Sequence, residues 1–161
     1  MINLRSINLL LFLILILQGC SSYSTRTPTA SVNIQPQSPV ASALLSQHKS
    51  WKGTPYRWGG QSRQGVDCSA FTQLTYKTIF EQHLPRTTIA QVNSGIKVKQ
   101  HQLIPGDLVF FKLGGNKQRH VGVYVEQGIF LHASTSQGVT LSRLDNPYWK
   151  QHYWTAVRPK R

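Results

Sequence analysis

One unbroken apolar run, residues 9–17, most constrains what this chain can become. Arg5 precedes it, and Gln18-Gly19-Cys20 follow. A membrane span needs about 20 apolar residues, whereas a signal-peptide core needs roughly 7–15. The run therefore reads as the heart of an export signal covering residues 1–19. A simple N-terminal anchor or a non-lipid signal is the alternative. Residues 20–38 are rich in Ser, Thr, Pro, Gln and Asn, a composition that cannot bury a core, and read as a flexible tether. Residues 39–161 remain, enough for one domain with a core of its own. With 40% hydrophobic residues, the chain is no disordered basic tail, despite 18 Lys+Arg against 5 Asp+Glu and a formal charge of +13. Two cysteines exclude a disulfide-dense scaffold and a Cys-rich zinc module, and neither a metal nor an organic cofactor is expected.

The segment Leu17-Gln18-Gly19-Cys20 resembles the end of a bacterial lipoprotein signal, with small Gly19 before the cleavage point and Cys20 as the lipidated residue. Multiple acyl chains, palmitate among them, hold a protein at a membrane more firmly than one chain can. Ser21 stands where an inner-membrane lipoprotein usually has Asp. The expected location is the outer membrane, facing the periplasm.

Ser38-Pro39 is a strong helix start, Ser as cap and Pro at the first helical position. Val40, Leu44, Gln47, His48 and Trp51 mark one face, and Gly53-Thr54-Pro55 ends the helix. Gly59 to Gly65 reads as a loop. A second helix is expected over residues 67–80, with Phe71, Leu74, Thr75 and Thr78 inward. A short third helix covers residues 88–93, stopped by Gly95. The period then changes: residues 108–111, 120–125, 129–133, 139–141 and 153–157 read as strands. Helices first and antiparallel strands afterwards make an α+β domain.

Once Cys20 carries lipid, Cys68 is the remaining thiol, in an oxidising compartment where an idle exposed thiol is a liability. It is either a buried structural Cys or a functional one. Its position favours function. Asp67 is a plausible cap, and the first turn of a helix favours a thiolate. The nucleophile then needs a base to move a proton to the leaving group. His48, His83 and His101 read as solvated, and His152 as packing in a Tyr/Trp-rich run. His120 and His132 differ, lying on consecutive apolar strands joined by Glu126-Gln127-Gly128. A three-residue hairpin loop pairs residue 125 with 129 and sets 120 and 132 diagonally on one face. That arrangement suits one His as base and the other as its orienter. A two-residue turn would put them on opposite faces.

Several segments together carry a resemblance: Gly53-Thr54-Pro55-Tyr56-Arg57-Trp58-Gly59-Gly60, Gly65-Val66-Asp67-Cys68-Ser69, Leu84-Pro85-Arg86-Thr87-Thr88, Pro105-Gly106-Asp107-Leu108-Val109-Phe110-Phe111, His120-Val121-Gly122-Val123-Tyr124 and Phe130-Leu131-His132-Ala133-Ser134. In this order they resemble the NlpC family of bacterial cell-wall cysteine peptidases, particularly its small lipoprotein members, over residues 44–161. The resemblance implies a papain-like fold, with the nucleophile helix packed on an antiparallel sheet of about five to six strands. It implies Cys68 as nucleophile, His120 as base and His132 as the residue orienting it. Tyr56 matches a tyrosine near the thiolate that helps hold the oxyanion or substrate, and Ser69 part of the substrate-side wall.

The expectation is a lipid-anchored cysteine endopeptidase, a monomer, acting on the peptide stems or cross-links of peptidoglycan. Free carboxylates on those stems suit a basic surface, as do anionic lipids. Export and the lack of a Lys/Arg run exclude nucleic acid as the partner. Two rivals use the same fold: a non-catalytic wall-binding lipoprotein, and an amidase or acyltransferase working through the same thiol.

Overall fold

The computed structural model describes residues 34–114 and 118–160. The expected export signal, Cys20 and most of the tether lie outside the described residues. No helix among the described residues is long and apolar enough to cross a membrane.

The first helix, α1 (Pro39–Trp51), starts as its sequence dictates: Ser38 Oγ accepts from the Ala41 N–H at 3.1 Å, with Pro39 in the first turn. Ahead of it, Ile34 is buried and the Gln37 N–H donates to the Glu126 carboxylate, so packing begins before residue 39. The stretch expected as loop contains a two-rung hairpin, β1 (Gln61–Ser62) and β2 (Gly65–Val66). Helix α2 (Cys68–Phe80) follows at once, then α3 (Thr88–Gln91), shorter than its expected 88–93. Phe71, Thr72, Thr75 and Tyr76 form the buried face of α2; Leu74 is half-buried and Thr78 exposed, against expectation. Tyr76 displaces Thr78 because its ring fills the core while its hydroxyl finds the Gly106 carbonyl.

Six antiparallel strands build the main sheet in the order β3-β8-β4-β5-β6-β7: β3 (Gly95–Val98), β4 (Leu108–Lys112), β5 (Arg119–Glu126), β6 (Ile129–Ser134), β7 (Gly138–Arg143) and β8 (Tyr153–Pro159). Five of these match expected strands. The sixth, β3, opens at Gly95, which was expected only to stop a helix; it is an edge strand with exposed Ile96 and Lys97 and no apolar run to announce it. A fourth helix, α4 (Pro147–His152), was also not expected, although Asn146 caps it and Pro147 begins it.

Period-two alternation divides β4 between two cores. Leu108 and Phe110 join Val121, Val123 and Leu131 in the core containing α1 and α2 residues. Val109 and Phe111 join Phe130 and Ala156 in the other, against which Trp149 of α4 packs. Burying both faces is what makes β4 read as a continuous apolar run. The architecture is the expected α+β arrangement, with helix α2, which begins at Cys68, packed on an antiparallel sheet.

The β5–β6 hairpin differs from expectation in an instructive way. Its turn has two residues, Gln127 (φ 52°) and Gly128 (φ 77°), both left-handed, as a type I′ turn requires. Such a turn alone would send His120 and His132 to opposite faces. A bulge prevents this: Glu126 pairs with Ile129, but Tyr124 pairs with Phe130, so Val125 is an extra residue. Beyond it the pairing is the expected one, with Val123 opposite Leu131.

Candidate active site

Asp67 does more than cap α2. Its Oδ1 accepts from the Ala70 N–H (2.8 Å), the Ser69 hydroxyl (3.0 Å) and Arg86 Nη1 (3.0 Å). Its Oδ2 accepts from Arg86 Nη2 (2.6 Å) and the Gly59 N–H (3.0 Å). Burial is the largest single influence and raises this carboxyl, but the hydrogen bonds from Arg86, the Ala70 N–H and Ser69, together with the Arg86 charge, outweigh it and hold it below its ordinary 3.8. One carboxylate thus locks together the helix start, the Gly59 loop and the α2–α3 connection.

Cys68 is the first residue of α2 and only 5% exposed. Its Sγ lies 3.7 Å from Thr88 Oγ1. Burial pushes the thiol above its ordinary range, against the hydrogen bonding from Thr88 and the Val121 and Ser69 backbone that favours the anion. The expected thiolate is therefore a neutral thiol in the unliganded protein: at this buried position desolvation outweighs what the helix start supplies. A cleft of about 430 Å³ opens beside it, lined by Tyr56, Trp58, Asp67, Ser69, Arg86, Thr88 and Arg119, among others. Tyr56 is tied to Val66 by an isolated parallel bridge. Burial, then the neighbouring Cys68 and Asp67, raise its phenol to about 12, so it keeps its proton at neutral pH. Ser69 lines the cleft, but its hydroxyl is engaged by Asp67 and Arg86.

His120 and His132 meet directly, with His120 Nε2 2.9 Å from His132 Nδ1. The diagonal geometry holds, and Gly122 is what makes room for it. A Cβ there would stand 2.7 Å from Phe130 Cδ2 and 3.1 Å from His132 Cβ. Both rings are fully or nearly fully buried. Burial lowers His120 to about 4, and lowers His132 well below 6.5, with His120 as a further cause. Both are neutral imidazoles at neutral pH.

Further residues in the site were not expected. His132 Nε2 lies 2.9 Å from Ser142 Oγ, extending the row to His120–His132–Ser142. The indole of Trp149 stacks on His120 (5.4 Å between centroids, 29°) and stands edge-on to His132 (4.9 Å, 77°). The signal for Ser142 was available: β6 and β7 pair Ser134 with Gly138 and His132 with Thr140, which puts Ser142 diagonal to His132. Of the remaining histidines, His83 and His101 are exposed, while His48 is half-buried and His152 meets the Tyr148 carbonyl at 2.7 Å.

The structure thus joins the two histidines to each other, and the thiol to Thr88. Among the described residues no hydrogen bond links Cys68 to His120. The halves of the site meet at the start of β5, where Arg119 lines the Cys68 cleft and His120 borders a second hollow of about 210 Å³. No group of three or more His, Cys, Asp or Glu among the described residues is placed to hold a metal ion.

Comparison with known proteins bears on the family and the fold. The NlpC/P60 family model matches residues 53–158. The chain is 45% identical over 151 residues to "Probable endopeptidase NlpC" of Escherichia coli K12, covering 93% of this chain and 97% of that one. It is 44% identical over 119 residues to "Murein DD-endopeptidase MepS/Murein LD-carboxypeptidase" of the same organism, covering 74% of this chain and 63% of that one. The crystal structure of an NlpC/P60 family protein from Bacillus cereus superposes with a TM-score of 0.66 at 33% identity, over 75% of this chain and 40% of that one.

Proposed function

This chain belongs to the NlpC/P60 family, and on that premise we propose that Cys68, His120 and His132 carry out its hydrolysis of peptidoglycan peptides. The protein is a peptidase of the endopeptidase kind, and its substrate is the cell wall. The observation that supports the triad most is the 2.9 Å contact between the two buried rings.

His120 has its Nε2 committed to His132, which leaves Nδ1 for the thiol proton. Without substrate, Cys68 packs with the helix-side core, while the two rings pack with Phe111, Phe130 and Trp149 on the other face of the sheet. The proposed mechanism therefore requires substrate entry to bring Sγ and His120 Nδ1 together at the start of β5. The S–H proton passes to His120 Nδ1 as sulfur attacks the carbonyl carbon. The oxyanion meets the backbone N–H groups at the first residues of α2 and the protonated Tyr56 hydroxyl. Collapse breaks the C–N bond, and His120 returns its proton to the leaving amine. Water, deprotonated by His120, then opens the thioester to a carboxylic acid and regenerates the thiol. Throughout, His120 Nε2–H donates to His132 Nδ1, and His132 Nε2–H donates to Ser142 Oγ. This fixes one tautomer along the row. Apo proteases often hold such contacts loosely and tighten them on binding.

The reading extends to anchoring. Residues 1–19 are the export signal, Cys20 carries the lipid, and the tether that begins there gives way at Ile34 to a packed, monomeric peptidase domain held at the periplasmic face of the outer membrane. The intact nucleophile, base and orienter weigh against a non-catalytic wall binder.

Incubating the purified protein with peptidoglycan and analysing the products by mass spectrometry tests the function. New amino and carboxyl termini within stems or cross-links are the expected result. An unchanged substrate with folded protein would favour the binding reading, and transfer to an acceptor other than water the acyltransferase reading.

A further inference from the structure

The Cys68 cleft is bordered by two guanidinium groups and one carboxylate. Arg86 is answered by Asp67, whose two oxygens together accept five hydrogen bonds, none from Arg119. Among the described residues Arg119 has no acid of its own. Its Cζ lies 5.2 Å from the centroid of the Trp154 ring, and its Nε and Nη1 are buried without an acceptor among the described residues. Directly across the ladder stands Lys112, whose ammonium lies over the same indole at 4.8 Å. Like charges opposite one another on neighbouring strands repel, and buried guanidinium donors normally find acceptors. Stacking on Trp154 fixes the guanidinium but leaves its charge uncompensated. A cation kept in this state, in the wall of the cleft that holds the nucleophile, calls for an anion that arrives with the substrate.

We propose that Arg119 is a specificity-determining residue that binds a free carboxylate of the peptide stem close to the scissile bond. The proposal rests on the peptidoglycan reading above. Arginine suits the task better than lysine, since a planar group can stay stacked while its edge meets a carboxylate. A lipid phosphate has related chemistry, but Arg119 shares its cleft with Cys68 and Tyr56, where the reacting peptide must lie.

The test uses the full-length protein and synthetic stem peptides in which each free carboxylate is replaced, one at a time, by a carboxamide. For one carboxylate, amidation should lower wild-type kcat/KM by about 10- to 100-fold, the range of a charge-assisted hydrogen bond, mostly through KM. In Arg119→Gln the acid and amide forms should become equivalent, while Arg119→Lys should keep part of the preference. The wild-type comparison needs no variant to fold, and circular dichroism checks the two that are used. Equal cleavage of every acid and amide pair by the wild type overturns the proposal and leaves the peptidase reading intact. So does an unchanged preference in Arg119→Gln. If folded wild-type protein cuts none of the peptides, the peptidase reading fails and this proposal with it. Anionic vesicles added as competitors should leave cleavage unchanged; inhibition that disappears in Arg119→Gln would assign the residue to lipid instead.

Discussion

Acidification should destabilise this protein through its buried histidines. Burial lowers His120 from 6.5 to about 4, and His132 moves in the same direction. In the unfolded chain both rings return to about 6.5. As pH falls, the unfolded state therefore takes up protons that the native state refuses. The stabilisation is complete above about 6.5 and is lost as pH drops toward 4. For His120, the interval from 6.5 to about 4, at about 1.4 kcal/mol per pH unit, amounts to about 3 kcal/mol. His132 adds a loss of the same sign, and half-buried His48 beside Lys52 a smaller one. Asp67 acts in a lower window, because its carboxyl is already held below 3.8. A domain of this size commonly has about 5–15 kcal/mol in total, so the loss is a large share.

Urea unfolding followed by tryptophan fluorescence, repeated from pH 7.5 to 4.5, measures this directly. With two rings involved, the slope between pH 6 and 4.5 should approach about 2.7 kcal/mol per pH unit, and His132→Asn should roughly halve it. A stability that stays flat over this range would refute the buried, neutral pair. On the proposed mechanism the same pair also sets the pH dependence of catalysis. Where the protein remains folded, the acid limb of kcat/KM should lie below 6.5, because His120 stays neutral, and competent as a base, at lower pH than a solvated histidine.

Cys68→Ser should retain the fold, being nearly isosteric, and abolish peptidoglycan hydrolysis; near-wild-type turnover would sink the cysteine mechanism. His120→Ala should lose about 10²–10⁴-fold in kcat, the usual contribution of a proton shuttle. His132→Ala should lose less, and His132→Asn should recover part of that loss; full activity in His132→Ala would remove it from the site. Ser142→Ala breaks one hydrogen bond to His132, worth about 0.5–1.5 kcal/mol net, so kcat should fall about 2- to 13-fold with KM little changed. Ser142→Thr should restore it, and a Ser142→Ala enzyme with wild-type kcat and pH profile would show that the hydroxyl positions nothing.

What was legible in the sequence followed local physics. Ser38-Pro39 and Asp67 announce their helices because capping is decided within four residues, and the apolar strands announce themselves by period. Strand β3 did not, because Ile96 and Lys97 are both exposed on an edge and burial had imposed no pattern. Helix α4 was legible in Asn146-Pro147 but hidden by the aromatic run that follows. The protonation state of Cys68 was not legible. A helix start favours a thiolate wherever water is present, and only the three-dimensional packing shows that burial wins here. Thr88 and Arg119 were out of reach for the same reason, since nothing in a linear spacing brings them into the cleft with Cys68.

The histidine row shows how the proposed catalytic geometry depends on sheet register. His120, His132 and Ser142 come from three adjacent strands, each one diagonal to the next. A slip of one residue in either hairpin would turn a ring to the opposite face of the sheet, where Val121, Leu131 and Ala133 fill the helix-side core. Three devices hold the register. The left-handed Gln127-Gly128 pair sets a tight turn, and extra Val125 restores the phase that this turn would invert. Bare Gly122 leaves the space His132 needs. The same register puts Phe111, Phe130 and Trp149 against the two rings, which keeps them neutral. Register, tautomer and base strength are therefore set by the same packing. That is why these polar side chains can sit against an aromatic core: both ring nitrogens of His132 and Nε2 of His120 have hydrogen-bond partners instead of an ion, and His120 Nδ1 alone is left for the thiol proton.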